Sequence, residues 1–147
     1  MNQIRAAEAH TTIHADAKRV WQTLTSQKDW KKFFLGANVE TDWHVGSPIV
    51  FRGEFKGKTY EDKGEVRSVV PNEKLAFTHF SAMSGDEDKE ENYHLVAITL
   101  APKGGDTAVT LTQDNQNGKP VGEKARSEFE KNWSTVLEGL RKLVETT

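Results

Sequence analysis

The stretch from Val121 to Thr147, VGEKARSEFEKNWSTVLEGLRKLVETT, decides the fold. Apolar residues recur at Ala125, Phe129, Trp133, Val136, Leu137, Leu140, Leu143 and Val144, a spacing that places them on one face of a helix. Glu123, Lys124, Glu128, Glu130, Lys131, Glu138, Arg141 and Lys142 occupy much of the remainder. At about 1.5 Å per residue such a helix reaches roughly 35 Å, enough to cross a small domain. The upper half of its stripe is aromatic (Phe129, Trp133) and the lower half aliphatic. The aliphatic half reads as core; the aromatic half reads either as core or as the wall of an interior space.

What precedes this helix has a different period. Ile4 to Ile13 alternates weakly and reads as a strand. Asp16 is placed to cap a helix over Ala17 to Thr25 that buries Val20, Trp21 and Leu24. Ser26 with Asp29 resembles a capping box ahead of a short helix through Trp30 to Phe34, which Gly36 ends. From Ala37 the period becomes two. Ile49, Phe51 and Phe55 alternate against Val50, Arg52 and Glu54 up to a tight turn at Lys56-Gly57, and Tyr60 to Val70 follows as the next strand. After the Pro71-Asn72 turn, Leu75, Phe77 and His79 share a face. Tyr93 to Leu100 and Thr107 to Gln113 are strands joined across Gly104-Gly105, with Val96, Ile98 and Leu100 opposing Val109 and Leu111. The order is strand, two short helices, about six antiparallel strands, long helix: an α+β domain with a curved sheet over one helix. No repeat or linker interrupts it, so residues 1–147 read as one domain.

Composition narrows function by exclusion. The net charge of −2 gives no general attraction for nucleic acid. No apolar run is long enough to cross a bilayer as a helix, and Met1 to Arg5 does not open a secretory signal, so the expected location is cytoplasmic. With no cysteine there is no disulfide, thiolate zinc site or cysteine nucleophile. Phosphate-cradling glycine motifs and the nucleophile elbow are absent as well.

The five histidines, His10, His14, His44, His79 and His94, lack metal-ligand spacing, and no metal or cofactor is expected. His79 stands out because it follows Leu75 and Phe77 on the inward face; it reads either as a polar group in an apolar pocket or as a strand-end histidine. The acidic run Asp86 to Glu91 lacks the pattern of a calcium loop and reads as a solvated hairpin tip. Lys28, Lys31 and Lys32, beside Trp30 and Phe33-Phe34, read as the outer surface of a helix.

Ile13-His14-Ala15-Asp16-Ala17 through Val20-Trp21 to Leu24-Thr25 resembles the opening of the family related to the activator of heat-shock protein 90 ATPase, with Asp16 at its usual proline. Gly64-Glu65-Val66 with Val70-Pro71 and Leu75-Ala76-Phe77-Thr78, then Thr107 to Thr112, then Trp133 with Val136-Leu137 and Leu140, are similar to the family's later stretches in order and spacing; Asn132 replaces a small residue. The resemblance covers nearly the whole chain. It implies the helix-grip fold of the SRPBCC (START-like) superfamily, which commonly encloses an apolar cavity for lipids, polyketides or flavonoid-like aromatics.

Three functions follow as expectations. The first is non-enzymatic binding of a small hydrophobic molecule by Phe34, Phe51, Phe77, His79, Phe129 and Trp133, with Tyr60 as a second polar group. The second is aromatase/cyclase-type chemistry, for which His79, Tyr60 or Asp62 would have to act as acid or base. The third is co-regulation of a chaperone ATPase. The eukaryotic activator uses an additional N-terminal domain for that contact, and these 147 residues hold no counterpart.

Overall fold

Alternation along the chain builds the sheet. In the computed structural model, which describes residues 6–81, 84–116 and 121–146, seven strands are hydrogen-bonded in the order β1-β7-β6-β5-β4-β3-β2, every pair antiparallel. They are β1 (Ala7–Ile13), β2 (Asn38–Glu40), β3 (Pro48–Phe55), β4 (Lys58–Val70), β5 (Lys74–His79), β6 (His94–Lys103) and β7 (Asp106–Asn115). The sheet is curved and α3 (Glu123–Thr146) lies along its inner face, which is the helix-grip arrangement. Helices α1 (Ala17–Leu24) and α2 (Gln27–Phe33) fill the connection from β1 to β2. Ile4, Arg5 and Thr147, the outer ends of the expected first strand and last helix, lie outside the described residues.

Local chemistry places the ends of these elements. The Asp16 carboxylate accepts from the Arg19 amide at 2.8 Å and so caps α1. The expected capping box at Ser26 is corrected: Ser26 sits at the N-cap of α2 without a side-chain bond, the Asp29 amide donates to the Ser26 backbone carbonyl at 3.1 Å, and the Asp29 carboxylate turns to Lys32 Nζ at 3.2 Å. Lys56 and Gly57 both take positive φ, as a two-residue hairpin between right-twisted strands requires. At Gly64 β4 comes so close to β5 that a Cβ would stand 1.7 Å from the Thr78 carbonyl oxygen. The register of the two strands shifts just beyond, between Val66 and Ser68.

Inward residues of all the long strands meet the two kinds of helix face. Val136, Leu137, Leu140 and Val144 of α3 are buried against the sheet, so the aliphatic half of the stripe is core. Between α2 and α3 the approach is close at Gly139, where a Cβ would lie 3.3 Å from Cα of Phe33. Trp30 sits at the centre of the aromatic packing with 1% exposure. Its ring centroid lies 5.3 Å from Phe33, 4.9 Å from Phe34, 5.7 Å from Trp43 and 6.0 Å from Phe51, and its indole N–H donates to the Leu24 carbonyl at 2.8 Å. Burying a side chain of the size of Phe51 or Phe77 contributes roughly 2–3 kcal/mol relative to leaving it in water. With Trp30 and Phe33 turned inward, Lys28, Lys31 and Lys32 are left on the exposed face of α2.

Candidate functional site

The core does not fill the fold to its end. Beyond Phe51 and Phe77 the sheet and the first half of α3 diverge around a recess of about 500 Å³, partly open to solvent and mostly carbon-lined. Phe129 and Trp133 of α3, with Phe34 after α2, form its apolar side. Leu35 and Phe55, both more than half exposed, stand at its mouth. The wall is tied together by ring contacts, Phe34 with Trp133 at 5.4 Å and Phe129 edge-on to His94 at 5.4 Å.

Opposite the aromatic wall runs a row of polar side chains, which strand alternation explains. Counting outward by twos from buried apolar positions leads from Val66 to Asp62 and Tyr60 on β4, from Phe77 to His79 on β5, from Val96 to His94 on β6 and from Leu111 to Gln113 on β7. His79 and His94 are direct cross-strand partners. All five side chains border the recess.

Hydrogen bonds join four of these groups. The Asp62 carboxylate, itself buried, faces His79 Nε2 at 3.1 Å, so the imidazole donates from that nitrogen. Trp133 Nε1 donates to Gln113 Oε1 at 2.6 Å, and Gln113 Nε2 lies 2.9 Å from His94 Nδ1. Burial holds the His94 pKa below the ordinary imidazole value, and the neighbouring His79 pushes the same way. The Tyr60 hydroxyl is pushed up, first by burial and then by the charge of Asp62, and so stays protonated at neutral pH.

Of the residues expected from the sequence, Phe34, Tyr60, His79, Phe129 and Trp133 come together around the recess. Phe51 and Phe77 do not. Both are fully buried one layer below, where Phe51 packs edge-on to the His79 ring at 5.2 Å, and the expectation that they form its walls is corrected. Sequence reading missed His94 and Gln113 as wall residues, and Leu35 and Phe55 at the mouth. The signal for the first two was present: the inward series Val96-Ile98-Leu100 and Val109-Leu111 each continue by one more alternation to them.

Other concave surfaces are less suited to an apolar ligand. A shallow groove of about 640 Å³ on β3 and β4 is larger, but it is lined by Arg52, Glu54 and Glu61, and Arg52 is already ion-paired with Glu40 and Glu61. The acidic segment after Gly85 is tied down by Asp88, which pairs with Lys63 and accepts from the Tyr93 hydroxyl at 2.6 Å. Among the described residues no three His, Asp or Glu side chains converge as metal ligands, and no helix is long and apolar enough to cross a membrane.

The likeness to known proteins follows the same geometry. The family model described as "Activator of Hsp90 ATPase homolog 1-like protein" matches residues 14–145. No curated protein gives a match. Among solved structures, ChR145 from Cytophaga hutchinsonii is 40% identical over 99% of this chain and 97% of its own, with a TM-score of 0.79. The Aha1 dimer from Colwellia psychrerythraea is 19% identical over 95% and 96%, TM-score 0.71. Ara h 8.0201 is 10% identical over 97% and 98%, TM-score 0.72; it shares the fold. The chain thus belongs to the family of activator of Hsp90 ATPase homolog 1-like proteins.

Proposed function

We propose that this protein binds a small, largely apolar molecule, aromatic or lipid-like, in the recess between the sheet and α3, and does so in the cytoplasm. The observation that carries the reading is the recess itself: about 500 Å³, within the usual range of small-molecule sites, faced by Phe34, Phe129 and Trp133 on one side and a hydrogen-bonded polar row on the other. Five of the seven residues named from the sequence border it. Native mass spectrometry of freshly purified protein tests the proposal. A co-purified small molecule, lost from a Trp133→Ala variant, is expected. A bare chain that also takes up no apolar fluorophore in titration would overturn it.

One observation favours an enzymatic reading as second. Asp62 and His79 form a carboxylate–imidazole pair at the recess, with the protonated Tyr60 hydroxyl on the same strand as Asp62. In that case Asp62→Asn would abolish turnover of a bound polyketide-like substrate while leaving its affinity within a few-fold. Chaperone co-regulation is supported by family membership alone. Addition of the protein to heat-shock protein 90 with a readout of ATP turnover decides it.

A further inference from the structure

The polar row of the recess contains one group whose hydrogen position is fixed by its neighbours. An indole N–H can only donate, so the Gln113 atom 2.6 Å from Trp133 Nε1 is its carbonyl oxygen. The Gln113 NH₂ therefore faces His94, and an NH₂ can also only donate, so His94 Nδ1, 2.9 Å away, accepts and carries no hydrogen. Neutral His94 thus holds its hydrogen on Nε2. That N–H has no hydrogen-bond partner among the described residues, while the imidazole borders the recess. Doubly protonated His94 would set Nδ1–H against the Gln113 NH₂, a further obstacle to charging it.

The rest of the wall restricts what this donor can meet. The described lining residues include no Lys or Arg, and the charged group they do include is the Asp62 carboxylate. A carboxylate or phosphate ligand would meet no lysine or arginine and would lie beside the Asp62 carboxylate, at a desolvation cost that one hydrogen bond does not offset. A neutral acceptor meets neither obstacle. Resting on the reading of the recess as a ligand site, the geometry points to a ligand with an apolar, ring-containing body and a ketone-type carbonyl, received by His94 Nε2–H. Gln113 and Trp133 act as positioning residues: they set the tautomer and so decide that the wall offers a donor.

Two readouts test this in the whole chain. Long-range proton–nitrogen correlation NMR on labelled protein is expected to show His94 with hydrogen on Nε2 alone; a wild-type signal with hydrogen on Nδ1 would overturn the assignment. Fluorescence titration then compares the naphthyl ketone prodan with the same dimethylaminonaphthalene lacking its acyl group. The ketone is expected to bind about fivefold more tightly, the worth of one hydrogen bond between neutral groups. In Gln113→Glu, the carboxylate accepts from both Trp133 and His94 Nδ1, so hydrogen moves to Nδ1; at a pH where the spectrum shows the ring neutral, Nε2 is bare and the ratio is expected to fall to about one, and an unchanged ratio there overturns the proposal. Should that variant fail to fold, Trp133→Phe frees Gln113 to turn over, and a mixed tautomer with a reduced ratio is expected. Equal binding of both probes by the wild type overturns the carbonyl proposal and leaves the ligand site standing. Binding of neither probe overturns both.

Discussion

Trp133→Ala separates a core residue from a cavity wall. Close-packed aromatic-to-alanine truncations cost about 3–5 kcal/mol, from lost transfer energy and the void left behind. Trp133 is partly buried: its ring meets Phe34 at 5.4 Å, and the side chain borders the recess. Its lost transfer and packing energy should therefore fall below the close-packed figure, at roughly 2 kcal/mol. Loss of the indole bond to Gln113 adds about 1 kcal/mol or less, since water entering the enlarged recess can take over the carbonyl. A total of about 2–3 kcal/mol is expected, with Trp133→Phe near 1 kcal/mol. Urea unfolding of both variants with unchanged m-values, alongside prodan titration, reads the two effects separately. Trp133→Ala should weaken the probe at least tenfold, about 1.4 kcal/mol. A loss of 4–5 kcal/mol with unchanged affinity would make Trp133 a core residue and refute the reasoning.

Further predictions concern strain and titration. Gly64→Ala puts a Cβ against the Thr78 backbone carbonyl, which cannot rotate away, and should cost on the order of 3 kcal/mol in chemical denaturation. His94 has a folded pKa below 6.5, lowered by burial and His79 and partly restored by Asp86 and Asp114. The unfolded chain then binds the extra proton first. The His94 contribution to stability is full above pH 6.5 and is lost as pH falls from there through the folded value; His94→Asn, which keeps an acceptor for Gln113, should flatten that slope. Both tyrosines should ionise late in an alkaline absorbance titration, Tyr93 at about 12 and Tyr60 above 10. Because their protons are held more tightly in the folded state, stability should fall as pH rises above 10.

The fold was legible because its signals are periodic. A long stripe of period 3.6 after runs of period two identifies α3 and six of the strands, and Asp16 marks the start of α1. β2 is three residues long, too short for an alternation to register. The site was legible only in part. Inward facing was readable from alternation, but depth was not: Phe51 and His79 share an inner face, yet one is core and the other borders the recess, because where the core stops depends on how far α3 diverges from the sheet. Gln113 could be read as inward-facing by the same alternation, but its burial could not. A glutamine at a strand end ordinarily faces water, and its burial here follows from a hydrogen bond to Trp133, twenty residues later on another element. Ser26 shows the limit of motif reading: its side chain makes no cap bond, and the Asp29 carboxylate turns to Lys32.

The central claim, that the recess is where a small apolar molecule binds, is tested most directly by NMR titration of isotope-labelled protein with prodan. The largest shifts should fall on the Trp133 indole, the Phe129 and Phe34 rings, and the imidazoles of His79 and His94, saturating together at one stoichiometric equivalent, while the outer groove at Arg52 and Glu61 stays unchanged. Shifts confined to that outer groove, or scattered without saturation, would contradict it.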